Sequence, residues 1–346
     1  MLQLLQAYAA ARAVPWVHHV RLAAACDGSI GPAISQRPPP SRRTAGLTLL
    51  NRVLLDPSEV EVTREAQAVA WLGAEDARTV HVREHLKPEP NQPLRAGLLD
   101  AGTTDDARAE WVHDGEGDAT VEGAALKLEL GPAEPLLRPV AEHERPRVDV
   151  LLAMPRPLVF GRLLPMLSSM GVGTLWVTGA QRVDKHYFSS HYLRPDREAE
   201  LRAALVNGLE QSGETAVPRC VVRRDLRGLL RDEFSSPELA EAKPSAPPLV
   251  RLVCHPERLG EEAADVLPLG DALSDVAPDA RVLLAIGPER GWAEPEELDM
   301  FERHGFQPVT LGTRTLRTDV AVVSLLAVAH ERLEAATRRA EAGERD

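Results

Sequence analysis

Two short glycine-bearing segments in the C-terminal half of this chain carry the clearest chemical signal. They are IGPERG at 286–291 and LGTRTLR at 311–317, each closing an apolar run of strand character, ARVLLAIG at 280–287 and QPVTLG at 307–312. In an open α/β sheet, ligands bind at the carboxyl ends of the strands. Gly287, Gly291 and Gly312 allow backbone N–H and C=O groups to approach such a ligand closely. One glycine loop alone reads equally as a tight turn. Two of them, separated by the helical segment EPEELDMFERHG, define a pocket lined by backbone. Ionisable side chains sit at its rim, Glu289 and Arg290 on the first loop and Arg314 and Arg317 on the second.

Other chemistries find little support. Gly171 and Gly173 form a G-x-G, but it follows a helix and precedes a strand, the reverse of the order that phosphate binding at a helix N-terminus needs, so it reads as a helix stop. His18 and His19, and His186 and His191, lack companion ligands, and no metal site is expected. Cys26, Cys220 and Cys254 are far apart, odd in number and in no CxxC pair, which argues against a disulfide framework or a zinc site and implies a reducing compartment. The sequence contains no GK[ST] phosphate loop and no nucleophile elbow.

The elements that position the two loops follow from periodicity. VDVLLAM (148–154), TLWVTGA (174–180), RCVVRR (219–224) and PLVRLVCH (248–255) join the two runs above as strands apolar on both faces, so a parallel sheet covered by helices is expected. Residues 196–212 begin with acids and set Leu201, Leu205 and Leu209 on one helical face. In EPEELDMFERHG, Pro295 suits a first turn, Glu294, Glu296 and Glu297 complement the dipole, Leu298 and Phe301 give the buried edge, and Gly305 ends the helix. A last helix, about Thr318 to Leu333, is apolar around most of its circumference and must be buried by its own domain, by a second subunit, or by both.

Before residue 147 the texture differs. LTLLNRVLL, ARTVHVREHL (77–86), LRAGLLDAG and DATVEGAALKLEL read as short strands of a small β-rich domain over 46–140, and the Pro-rich, charged segment 131–147 reads as its connection to a catalytic domain over 147–335. Residues 236–248 read as a flexible surface loop and 336–346 as a disordered tail. Residues 1–45, rich in Arg, Ala and Ser and ending in QRPPPS, read as an organelle transit peptide or as a disordered extension, so the location is cytoplasmic or organellar.

Length and composition bound the rest. At 346 residues the chain has room for two domains, and with 4% aromatic residues its core is expected to be aliphatic. No apolar run long enough to cross a membrane as a helix is present. The net charge of −12 means that total charge cannot attract nucleic acid, and 46–145 holds twice as many acidic as basic side chains. Arg219, Arg223, Arg224, Arg227 and Arg231 form a local basic run, which reads either as a solvated face or as a phosphate-binding stripe.

The loop sequences, IGPERGW at 286–292, GF at 305–306 and LGTRTLRTDVA at 311–321, resemble the signature of the RsmE family of methyltransferases, which modify N3 of a uridine in small-subunit ribosomal RNA. AMPRPLVFGRLLPMLSSMGVGTLWVTGA (153–180) is similar to the opening of that family's catalytic domain, GLEQSG (208–213) to its EQ helix end, and HVREHL with GLLDAG to its N-terminal barrel. Arg290 stands where the family usually has a second glycine, Thr315 where it has Ile, and Val320 where it has Thr.

The resemblance implies an α/β SPOUT-type fold, trefoil-knotted with a mainly parallel sheet and helices on both faces, preceded by a small PUA-like β-barrel that docks RNA. It implies S-adenosylmethionine held by His255 and its neighbour Pro256, by Gly287, Pro288, Glu289 and Gly291, and by Leu311, Gly312 and Leu316, the last group around the adenine. It also implies a homodimer through the knot region, and small-subunit rRNA or the assembled subunit as partner. Uridine N3 carries a proton and is a poor nucleophile, so the site must orient it and help remove that proton. Glu289 is the acid placed to meet substrate, Arg314 or Arg317 would stabilise a uridine anion, and Gln211 would bond a base edge. Each has a plainer alternative: a turn cap for Glu289, pairing with a nearby carboxylate for the arginines, and a cap of its own helix for Gln211. Arg219, Arg223, Arg224, Arg227 and Arg290 are the candidate RNA contacts.

Overall fold

A computed structural model describes residues 51–112, 124–234, 247–255 and 266–343. The extension at 1–45, most of the loop expected at 236–248, and Pro256 lie outside the described residues.

The first part is a curled, half-barrel sheet of six strands, β1 Val53–Leu55, β2 Val60–Val62, β3 Gln67–Leu72, β4 Leu94–Leu98, β5 Thr103–Val112 and β6 Ala125–Pro132, in the order β1-β4-β5-β6-β3-β2. Every pairing is antiparallel except β1 with β4. Ala68, Ala70 and Leu72 alternate with outward Trp71 on β3, and Leu126, Leu128 and Leu130 alternate with Lys127 and Glu129 on β6, so one face makes a core and the other meets water. The short helix α2, Ala133–Leu137, closes that core with Leu136.

The expected strand at 77–86 is helical. Helix α1 spans Ala77–His81 and continues into a π-helical turn, Val82–Leu86. Asp76 accepts the Arg78 N–H at 2.8 Å as N-cap, and the Arg78 guanidinium bridges Asp76 and Glu59. Thr79, Val82 and Leu86 reach the core at helical spacing, and Lys87 at φ 43° ends the segment. The alternation in TVHV is too short to outweigh a cap and a buried stripe.

The second part is a sheet of seven parallel strands: β7 Val148–Ala153, β8 Val172–Thr178, β9 Arg219–Arg223, β10 Leu249–Cys254, β11 Leu267–Pro268, β12 Arg281–Ile286 and β13 Gln307–Thr310. Their order is β11-β13-β10-β12-β7-β8-β9. The six strands read from apolar runs are all present, and the two-residue β11 was not legible.

Alternate residues serve opposite faces. Val148, Val150 and Leu152 of β7 and Val282, Leu284 and Ile286 of β12 pack under α3 (Pro157–Ser169), α4 (Glu198–Ser212), α6 (Leu269–Ala272) and a long helix, α8 (Thr318–Gly343). Leu151, Ala153, Leu283 and Ala285 face α5 (Leu226–Glu233) and α7 (Glu296–Arg303). The core on the first face is largely aliphatic, with Phe160 and Phe188 buried among Leu and Val. On the second, Phe234, Trp292, Phe301 and Phe306 meet edge to face, with ring centroids 4.7 to 5.9 Å apart. A low overall aromatic content hides this cluster, which gathers three of the five phenylalanines.

The tail expected at 336–346 is helical through Gly343. Ala336 is buried, the Thr337 hydroxyl bonds the Leu333 carbonyl, and Arg147 and Arg339 tie this last stretch to the rest of the domain. Helix α8 buries one stripe, Val322, Leu325, Leu326, Ala329, Leu333 and Ala336, and leaves Val320 exposed, so its own chain covers only part of its apolar surface.

The two parts join at the edge where the parallel strands begin. Asp100 N–H donates to the Thr215 carbonyl, the Thr215 hydroxyl donates to Ala101 O at 2.6 Å, and Arg145 bonds Asp100 and the Val217 carbonyl. Arg52 N–H donates to Glu210 O.

Candidate functional site

β13, β10 and β12 are neighbours, and their registers bring Cys254 level with both Ile286 and Val309. The three segments that leave these strands therefore start side by side at the carboxyl edge: His255, the loop 287–295, and the loop 311–317.

His255 is fixed from two directions. Its backbone N–H donates to Val309 O at 3.1 Å, and its Nε2 lies 2.6 Å from Glu294 Oε1. With the Nε2 proton directed at that carboxylate, Nδ1 presents a lone pair, and this nitrogen is enclosed with no hydrogen-bond partner among the described residues. Gly291, at φ 69°, faces the same ring, and a Cβ there would come within 3.2 Å of His255 Cε1. Glycine is thus required at 291 for conformation and for space.

The loop 287–291 is held at several points. Gly291 N–H closes a turn on Pro288 O at 2.8 Å. Trp292 anchors the far side, fully buried against Phe301. Glu289 reaches across to the loop after β7, where its Oε1 accepts the Arg156 N–H at 2.9 Å, and Oε2 has no partner among the described residues. Arg290 points its exposed side chain away while its carbonyl accepts from Arg182 Nη1 at 2.8 Å. An arginine at 290 is therefore compatible with the loop.

In the second loop the Thr310 hydroxyl accepts from Gly312 N–H and donates to Gly312 O, both at 3.1 Å. Gly312 has φ 109°, and nothing lies within 4 Å of a Cβ built there, so the backbone borders open space. Leu311 and Leu316 stand exposed beside it at 38% and 37%. Arg314 is exposed, and Arg317 pairs with Asp319 at 2.7 Å.

Gln211 is not brought to these loops. It ends α4, which leads into the amino end of β9, so it lies at the opposite edge of the sheet, beside the junction with the first sheet. Nor do the arginines form one stripe. Arg219 and Arg223 stand at the two ends of β9, about 13 Å apart along the strand. Arg219 pairs with Glu142 and Arg223 with Asp232, both at 2.6 Å. Arg224 stacks over Phe188, and Arg227 projects from α5, whose N-cap is Asp225.

Sequence reasoning missed Glu294, Glu297 and Arg182. Glu297 was read only as a complement to the helix dipole. It is buried, and its two oxygens accept Gln181 N–H and Ala293 N–H, each at 2.7 Å. Its spacing beside Leu298 and Phe301 on the buried edge was the available signal. The thiols take no part: burial pushes Cys220 up to about 12 and raises Cys254 as well, so neither is a thiolate nucleophile. Among the described residues no cluster of three or more His, Cys, Asp or Glu could hold a metal ion, and no helix is long and apolar enough to cross a membrane.

Residues 142–330 match the RNA methyltransferase domain family. The chain is 27% identical to the ribosomal RNA small subunit methyltransferase E of Treponema pallidum over 288 residues, covering 81% of this chain and 90% of that protein. It is 24% identical over 178 residues to ribosomal RNA small subunit methyltransferase E 1 of Borreliella burgdorferi, covering 51% of this chain and 64% of that one. A crystal structure of ribosomal RNA small subunit methyltransferase E from Neisseria gonorrhoeae, bound to S-adenosyl methionine, superposes with a TM-score of 0.50 at 20% identity, covering 80% of this chain and 95% of that one. That likeness concerns the fold.

Proposed function

Since the chain belongs to the RNA methyltransferase domain family, we propose that it transfers a methyl group from S-adenosylmethionine to N3 of a uridine in small-subunit ribosomal RNA. The observation that carries this reading is the convergence of His255, loop 287–295 and loop 311–317 around open space at the carboxyl edge of the sheet. The names of the Treponema and Borreliella relatives supply the substrate class.

The residues present fit the cofactor. Open backbone at Gly312, flanked by exposed Leu311 and Leu316, suits a flat apolar ring that also needs backbone hydrogen bonds. His255, held by Glu294 beside Gly291, closes the third side of that space. Gly287, Pro288 and Gly291 supply a fixed wall. When bound, the cofactor supplies an electrophilic methyl group on sulfur.

This chain's part is orientation and proton handling. Glu289, anchored through Oε1, keeps Oε2 for the N3 proton of the base. Arg317, swung from Asp319, or Arg314 meets the uracil oxygen on which charge develops. Gln211 can join only from a second subunit. A homodimer is part of the proposal, supported by the uncovered side of α8 around Val320 and by exposed Leu158 on α3, and such an interface would bury about 2,000 Å² or more. The knotted threading of the C-terminal segment is likewise proposed from the family resemblance.

Arg224, Arg227 and Arg290 remain available for phosphate, in contrast to Arg219 and Arg223, which are paired. Mass spectrometry of rRNA from cells lacking the protein tests the whole reading. Loss of one 3-methyluridine from small-subunit rRNA is expected, and an unchanged set of methylated uridines would overturn it.

A further inference from the structure

We propose that Glu297 is a positioning residue that couples the loop carrying the methyl donor to the basic rim beyond β8, and this rests on the function proposed above. The side chain is 6% exposed, and burying a carboxylate is costly unless it is bonded. No cation pairs with it among the described residues. Its bonds are two backbone N–H groups, Ala293 from the loop after β12 and Gln181 from the loop after β8. These loops are not neighbours, since β7 lies between their strands. A glutamate needed only for the helix dipole would sit in water, as Glu296 does one residue earlier.

The bridge is part of a longer chain of contacts. Gly179 N–H, two residues before Gln181, donates to the Arg224 carbonyl at 3.2 Å. Arg182, one residue after it, donates to the Arg290 carbonyl. Hydrogen bonds, one between backbones and the rest through the Arg182 and Glu297 side chains, thus run from the residue after β9, through the turn 179–183, to the segment 287–293. Glu297 is the buried link in that run, and an acceptor-only group is required there because both partners are donors. RNA held at Arg224 and a cofactor held at 287–291 would therefore be set relative to one another by this carboxylate.

Two variants test the link from its two sides. Glu297→Gln keeps the shape but turns one acceptor into a donor facing an N–H. Gln181→Pro removes only the N–H, at an exposed residue in second position of the turn closed by Val183 N–H on Ala180 O, where proline is favoured. Gln181→Ala, which keeps the N–H, is the control.

Each link variant should weaken S-adenosylmethionine binding by calorimetry roughly tenfold, raise KM for it more than it lowers kcat, and speed amide exchange at Ala293, while Gln181→Ala behaves as wild type. Should Glu297→Gln fail to fold, Gln181→Pro decides. Folded variants with unchanged affinity and exchange, or failure of both to fold, would overturn the proposal by making Glu297 a stability element only. A wild-type protein that binds no S-adenosylmethionine would instead refute the function on which it rests.

Discussion

His255 Nε2 and Glu294 Oε1 lie 2.6 Å apart, and this contact fixes the imidazole beside Gly291. His255→Ala should weaken S-adenosylmethionine binding about tenfold, the loss of about 1.4 kcal/mol, and Glu294→Gln should do so by less. Calorimetry on the folded variants measures both, and equal affinity in His255→Ala would remove the ring from the pocket.

Gly312→Val separates strain from occlusion. At φ 109° a β-branched residue is strained by about 1–3 kcal/mol, although among the described residues nothing lies within 4 Å of a Cβ built there. A modest fall in stability should accompany loss of cofactor binding. A folded variant that binds S-adenosylmethionine normally would move the pocket away from this loop.

Between β7 and β12, Arg281 Nη2 donates to both Asp149 carboxylate oxygens at 2.9 Å, and Thr174 N–H is a further donor to Oδ1. Burial raises the Asp149 pKa even against the attraction of Arg281. Arg281→Met would leave this carboxylate uncompensated and should cost about 3–5 kcal/mol in denaturant unfolding. A loss below 1 kcal/mol would mean that water reaches the pair.

Acid should weaken the fold through His330. Burial lowers its pKa, Arg147 lowers it further, and the Met170 backbone and Glu334 oppose that shift. The folded state therefore binds this proton less readily than the unfolded chain. Stability is retained above the unfolded value of about 6.5 and falls as pH drops below it, by at most about 1.4 kcal/mol per pH unit for one group. Unfolding curves between pH 7.5 and 5 (about that range) should flatten in His330→Gln. An unchanged slope would mean that His81 and His304, also lowered by burial, carry the dependence instead.

The basic residues divide into paired and available groups. Arg224→Glu with Arg227→Glu should weaken binding to small-subunit RNA and reduce the salt slope by about 0.7–0.9 per lost phosphate contact. Arg219→Ala, which releases Glu142, should change stability by only a few tenths of a kcal/mol, about the worth of an exposed pair. Filter binding at several salt concentrations distinguishes the two, and an unaltered slope in the double variant would exclude Arg224 and Arg227 from the RNA interface.

Much of the scaffold was legible because buried parallel strands are written as unbroken apolar runs, as VDVLLAM and ARVLLAIG are. The helix at 77–86 was not, because its identity depends on Asp76 and on Glu59, far from it in sequence, acting through Arg78. The loops after β12 and β13 were legible from Gly287, Gly291 and Gly312, two of which adopt the positive φ that favours glycine. Glu297 and Glu294 were hidden within an acidic run whose members look alike until the fold buries one, directs another at His255 and leaves Glu296 in water. The position of Gln211 was not legible, because a helix end says nothing about which edge of the sheet it will reach.

Trp292 follows Gly291 directly, is fully buried, and has an indole Nε1 with no partner among the described residues. An indole in so dry a setting emits at short wavelength, and any rearrangement that admits water to that nitrogen reddens the emission. The fluorescence of the unlabelled protein therefore contains an optical gauge of whether the segment 287–291 is closed, one residue from the place where the chemistry is expected.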